Sequence, residues 1–135
     1  MKNIQLFLLL LLSVFIYSSC EKDDPDGKWD DNIKLSSKSA DLQATADSVT
    51  FTTEGTWWWV TEITMNDSTY FPADSINLEA DSYVIQVEDV VVERKDANTL
   101  LVKAQENTTG EERTIRVGLE AGDYFDSVTV TQAAN

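Results

Sequence analysis

From Ile33 onward, apolar side chains recur at every second position rather than every third or fourth, the signature of half-buried strands. The clearest run is Arg113 to Leu119, where Ile115, Val117 and Leu119 take one face and Thr114, Arg116 and Gly118 the other. Asp126 to Gln132 repeats the pattern with Val128 and Val130, and Ala121-Gly122-Asp123 between the two runs predicts a hairpin. Upstream, Leu100, Val102 and Ala104 alternate with Leu101 and Lys103, and Glu106 to Glu111 forms the loop that follows. Asp96-Ala97-Asn98 is a turn preceded by the β-branched run Val90-Val91-Val92. Tyr83 to Val87, Val49 to Phe51 and Trp57 to Val60 complete the set, the last two flanking Gly55. About seven short strands at this spacing predict an all-β, immunoglobulin-like antiparallel β-sandwich over 34–135. With five Gly and two Pro in the chain, its turns must lean on Asn, Asp and Ser.

The beginning of the chain follows other rules. Lys2 precedes an apolar stretch from Ile4 to Ile16 that is too short to span a bilayer comfortably, and Ser18 and Ser19 come next. This order predicts an export signal over 1–19. Tyr17-Ser18-Ser19-Cys20 resembles a bacterial lipobox, which implies diacylation of Cys20 and an anchor in outer-membrane lipid. Residues 20–33 carry charge, Pro and Gly without periodicity and read as an acidic disordered tether. The cluster Glu21-Lys22-Asp23-Asp24 directly after the cysteine resembles the surface-export signal of Bacteroidetes lipoproteins. That likeness implies an outer-membrane location facing the cell exterior.

Charge and composition narrow the chemistry. Ten Lys and Arg stand against 24 Asp and Glu, a formal net charge of −14 in 135 residues, which repels nucleic acid and excludes it as a partner. With no His, and one Cys assigned to the anchor, His-based acid–base catalysis, Cys–His nucleophiles, zinc sites and disulfides are excluded. Nothing calls for a cofactor or a metal. The tether acids lack the ligand alternation and the distal bidentate Glu of a calcium loop. Carboxylates are so abundant that no pair singles itself out for glycoside hydrolysis. The chain is read as a non-catalytic module.

Three stretches carry a family resemblance. Asn98 to Asn107, then Arg113-Thr114-Ile115-Arg116-Val117, then Val128-Thr129-Val130-Thr131-Gln132, resemble the second half of a BACON domain, and Trp58-Trp59-Val60 is similar to its first-half W-x-V. The resemblance implies an immunoglobulin-like sandwich in a Bacteroidetes surface lipoprotein, with binding of mucin or polysaccharide as its role. Two departures bear on a sugar site. Val90 stands where a second Trp is common, and Ile63 to Tyr83 is an insertion.

Trp57-Trp58-Trp59 is the most unusual feature. Successive strand residues point to opposite faces, so with Trp58 and Val60 inward, as the resemblance implies, Trp57 and Trp59 share the outer face about 7 Å apart. Two indoles at that spacing suit the C–H faces of sugar rings, with Thr56, Thr61 and Glu62 beside them for hydroxyls. The alternative is a cover, in which Met65, Tyr70, Phe71 and Pro72 of the insertion close over the pair; the usual burial of large aromatics favours it. Even then a groove between cover and indoles would remain, so Trp57, Trp59, Glu62 and Tyr70 form the candidate ligand set. Of Tyr124 and Phe125, one is expected to plug the end of the sandwich and the other to face water. Arg113 and Asn107 are expected to hold loop geometry, and Gln132 to partner a buried backbone group. Four Asp-Ser-apolar triplets resemble the acceptor for O-glycosylation of exported Bacteroidetes proteins, with Ser68 and Ser75 the best placed. Ordinary turn chemistry explains the same triplets. Two functions stand: a surface-anchored module binding glycan through exposed aromatics, or a structural, adhesive or spacer lipoprotein engaged in protein–protein contacts within a surface complex.

Overall fold

The computed structural model describes residues 29–135; the signal, Cys20 and most of the tether lie outside the described residues. The described residues are all-β and build a two-sheet sandwich. Its nine strands are β1 (Ser39–Leu42), β2 (Asp47–Thr52), β3 (Trp59–Met65), β4 (Ser68–Tyr70), β5 (Tyr83–Val87), β6 (Val90–Asp96), β7 (Thr99–Ala104), β8 (Arg113–Ala121) and β9 (Tyr124–Gln132). One sheet has the order β1-β9-β8-β3-β4 and the other β2-β7-β6-β5. All neighbours pair antiparallel except β1, which joins β9 in parallel.

The sequence reading expects about seven strands, and β1 and β4 are the additions. The long hairpin β8–β9 turns through Gly122-Asp123, with Ala121 opposite Tyr124. Gly122 has φ of +63° at the first central position, the conformation a two-residue type II′ turn demands and Gly supplies without a Cβ penalty. The inner faces follow the alternation read from the sequence. Ile115, Val117, Leu119, Val128 and Val130 meet Val90, Val92, Leu100, Val102 and Phe51 in one core.

The lower end of the sandwich is tied by polar side chains. Arg113 donates from Nε to Gln132 Oε1 at 2.7 Å, from one terminal nitrogen to both Asp89 oxygens at 2.9 and 2.8 Å, and from the other to the Gln105 carbonyl at 3.1 Å. Gln132 donates on to the Gln105 and Thr45 carbonyls. Asn107, itself buried, donates to the Glu111 and Ala133 carbonyls. These three residues hold loops, as their positions beside turns suggest.

The tether boundary at residue 33 is corrected. Ile33 is completely buried in the core, and Asp31 Oδ1 accepts the amides of Ile33 and Lys34 at 3.0 and 2.7 Å. Gly55 then packs against this segment so closely that a Cβ would lie 2.0 Å from the Asn32 carbonyl oxygen. Among the described residues the folded unit therefore already includes this turn, ahead of residue 34.

Candidate functional site

The upper end of the sandwich carries the tryptophans. Trp58 is 1% exposed and enters the core. Its Nε1 donates to Thr53 Oγ1 and to the Ala97 carbonyl, both at 3.0 Å. Beneath it lies Arg94, whose guanidinium carbon sits 4.4 Å from the Trp58 ring centre. Arg94 is 2% exposed and its bonds run to carbonyls of Ala80, Thr56 and Ala97 at 2.9, 2.6 and 3.3 Å. Its Nε has no partner. Such a cation in the core is expensive unless it is hydrogen-bonded, and one of the carbonyls it binds, that of Thr56, directly precedes Trp57. Asn98 adds Nδ2 bonds to the Thr53 and Gly55 carbonyls at 2.9 and 3.2 Å. The loop that bears Trp57 is thus clamped from below by Arg94, Asn98 and Trp58.

Trp57 and Trp59 face outward. Trp57 lies in a bend just before β3 and is 65% exposed; Trp59, the first residue of β3, is half-buried. Their rings meet edge to face, centres 5.3 Å apart at 77°. The pair is therefore closer and more steeply inclined than the side-by-side arrangement expected, because Trp57 precedes β3 and does not follow the side-chain direction of the ribbon. On its other side Trp57 rests over the β8–β9 turn, with its ring edge 3.3 Å from where a Gly122 Cβ would stand.

The expected cover is absent from this face. Ile63 and Met65 continue β3 into the core, 1% and 8% exposed. Asn66-Asp67 makes a tight turn, with φ of +48° at Asn66, and β4 returns beside the far half of β3, placing Tyr70 opposite Ile63. Tyr70 therefore sits apart from the indoles. Its Oη donates to Glu88 Oε1 at 2.5 Å, and that carboxylate holds the phenol above its ordinary pKa. Tyr70 and Glu88 line a cavity of about 350 Å³ at the lower end, beside Asp67 and Arg113. Phe71 projects into water. The insertion forms the β3–β4 hairpin and then returns to the upper end, where the Ala80 carbonyl accepts from Arg94 and Tyr83 Oη from the Val60 amide, while Trp57 stays open.

Glu62 does lie on the outer face, but in an ion pair, its Oε1 2.8 Å from Arg116. It folds with Thr61 over Gly118, where a Cβ would come within 2.8 Å of Thr61 Oγ1 and 2.9 Å of Glu62 Cγ. The register shift between Val60 and Glu62 is a bulge that makes this crowding. Since β4 pairs only with Ile63 to Met65, the stretch of β3 around Val60 lies beyond its end. There the Val60 amide donates to Tyr83 Oη at 2.9 Å. Burial pushes the Tyr83 phenol above its ordinary pKa, opposed by that amide and by the charge of Arg94.

Two residues outside the expected set share the outer-face rung of Trp59. Trp59 stands opposite Glu120 on β8, and Glu120 stands opposite Phe125 on β9. Phe125 is 65% exposed while Tyr124 packs against the core, so the hairpin divides this pair as expected. Ser68 and Ser75 are both exposed. Asp47 and Asp126 each accept the amide of the Ser that follows, at 2.7 and 2.8 Å, which is the turn chemistry available to such triplets. No cluster of metal-ligating side chains occurs among the described residues.

No protein-family model and no curated protein matches the chain. Among solved structures, the NMR structure of a protein from Bacteroides thetaiotaomicron superposes with a TM-score of 0.64, covering 86% of this chain and 98% of that one at 23% identity. The likeness establishes a shared fold, and its source is consistent with a Bacteroidetes origin.

Proposed function

We propose that this chain is a BACON-like, non-catalytic module, held at the outer membrane through a diacylated Cys20, that binds glycan with its outward indoles. The observation that carries the reading is Trp57: a 65% exposed indole braced by Trp59 on one side and the β8–β9 turn on the other. An indole so held loses little freedom when a sugar ring stacks on its open face, and binding that orders little wastes little. Exposed aromatic surface of this kind tends to mark a recognition site. Thr61 and Glu62 follow Trp59 along β3 and offer a hydroxyl and a carboxylate, the latter shared with Arg116.

One observation favours a second reading. The rings meet at 77°, so they do not offer two parallel stacking faces, and a protein surface is served as well as a sugar chain. In that case the module is structural or adhesive and contributes contacts within a surface complex.

Intrinsic fluorescence separates the two. The mature chain from residue 20, carrying Cys20→Ala, is titrated with mucin and polysaccharide fractions. A saturable change that disappears in the Trp57→Ala/Trp59→Ala double variant supports glycan binding. No saturable change with any fraction removes it and leaves the contact module. The anchor is tested by fractionation: wild type stays with the membrane and Cys20→Ala does not. A variant still retained in the membrane contradicts acylation.

A further inference from the structure

The binding face does not stop at the two indoles. Register places Trp59, Glu120 and Phe125 on one rung across β3, β8 and β9. Directly opposed residues of antiparallel strands have Cβ atoms about 5 Å apart, so a carboxylate stands between two aromatic positions on the outer face. Asp123, exposed, follows the Gly122 on which Trp57 rests.

The cations near this rung are held in ion pairs or buried, and two of its acids are left outside any pair among the described residues. Arg116 is bound to Glu62 at 2.8 Å and Lys38 to Asp126 at 2.9 Å. Arg94 is buried beneath Trp58, with its donors turned to carbonyls. Glu120 and Asp123 take part in none of the ion pairs formed among the described residues. The face therefore offers hydrogen-bond acceptors and negative charge. A sugar hydroxyl donates well to a carboxylate, whereas a ligand carboxylate or sulfate brought within several ångströms of two like charges is repelled. A second copy of the chain would bring the same acids, and a chain of net charge −14, against itself.

We infer that Glu120 and Phe125 complete the aromatic face, and that it takes uncharged glycan chains and rejects those bearing sialate, sulfate or uronate. This rests on the glycan reading above, which it narrows to a ligand class.

Calorimetric titration of the mature chain carrying Cys20→Ala tests it with matched probes, at 20 and 300 mM NaCl. The probes are lacto-N-neotetraose with its sialylated counterpart, and neutral with sulfated mucin O-glycan fractions. The neutral member of a pair is expected to bind about five-fold more tightly at low salt, with the gap closing at high salt as screening shortens the repulsion. Glu120→Gln is expected to narrow the gap at low salt, and Phe125→Ala to weaken the neutral member about three-fold or more. Acidic members that bind as tightly as neutral ones overturn the charge inference. If the Trp57→Ala/Trp59→Ala variant then loses both, the binding face itself stands. A Phe125→Ala variant that binds like wild type overturns the extension across the hairpin. Probes that all fail to bind overturn the glycan reading and this inference together.

Discussion

Replacing the three consecutive tryptophans one at a time probes the phase of the ribbon on which the site depends. Trp58 is 1% exposed, bonds two acceptors through Nε1 and stacks on Arg94. Truncating a core indole costs about 3–5 kcal/mol, and here it also uncovers a buried guanidinium. Trp58→Ala should therefore remove much of the stability of a domain whose total is of order 5–15 kcal/mol. Trp58→Phe keeps most of the apolar burial and loses the indole donor, leaving Thr53 Oγ1 and the Ala97 carbonyl short of a partner, for about 1–2 kcal/mol. Trp57→Ala gives up an edge-to-face contact at a site mostly in water, for about 1 kcal/mol or less. The midpoint of urea unfolding, followed by circular dichroism of the backbone amides with each variant referred to its own folded and unfolded baselines, should rank the alanine variants Trp58, then Trp59, then Trp57. Where Trp58→Ala does not fold, Trp58→Phe still has to fall below Trp57→Ala. A Trp57 variant less stable than both Trp58 variants would refute the inward placement of the middle indole and with it the outer pair.

Three further outcomes follow from the same contacts. Gly55→Ala forces a Cβ to within 2.0 Å of a backbone oxygen, so it should cost about 2 kcal/mol or more in urea unfolding by the overpacking route. Arg113→Met removes the tie joining Gln132, Asp89 and the Gln105 carbonyl; it should cost about 2–3 kcal/mol at low salt, while any ligand binding at the opposite end persists. Burial raises the Tyr83 phenol pKa in the fold, so its contribution is fully present below about pH 10, the ordinary tyrosine value, and is lost as pH climbs through the folded value. Tyr83→Phe should lower stability at neutral pH by about 1–2 kcal/mol, since the Val60 amide loses its acceptor, and should flatten the alkaline decline; an equal alkaline slope in both proteins contradicts the assignment.

What could be read in the chain was whatever rests on local alternation. The β8 and β9 runs and their glycine turn follow from local pattern, and the inward Trp58 is what the family resemblance implies. Two strands were missed because they carry little of that signal. β1 is held chiefly by parallel pairing to the far end of the chain, and β4 is three residues placed by the turn at Asn66. The Asn-Asp dipeptide was the available cue for that turn, and it decides where Tyr70 goes. Ile33 was assigned to the tether because it stands alone among charges, and its burial is a long-range contact. Arg94 was legible in one respect, since it keeps the parity of Val90 and Val92, but a charged residue is ordinarily set outside. Phe125 is placed on the rung of Trp59 by the register of three strands, which no local pattern reveals.

Nitrogen-15 labelling of the four indole N–H groups gives the most direct test of the outer face as the recognition surface. Adding lacto-N-neotetraose should shift the Trp57 and Trp59 indole resonances, assigned by single substitution, and leave the hydrogen-bonded Trp58 resonance in place. Resonances of Trp57 and Trp59 that stay fixed while sugar binds elsewhere, or that do not respond to any neutral glycan, would contradict the account.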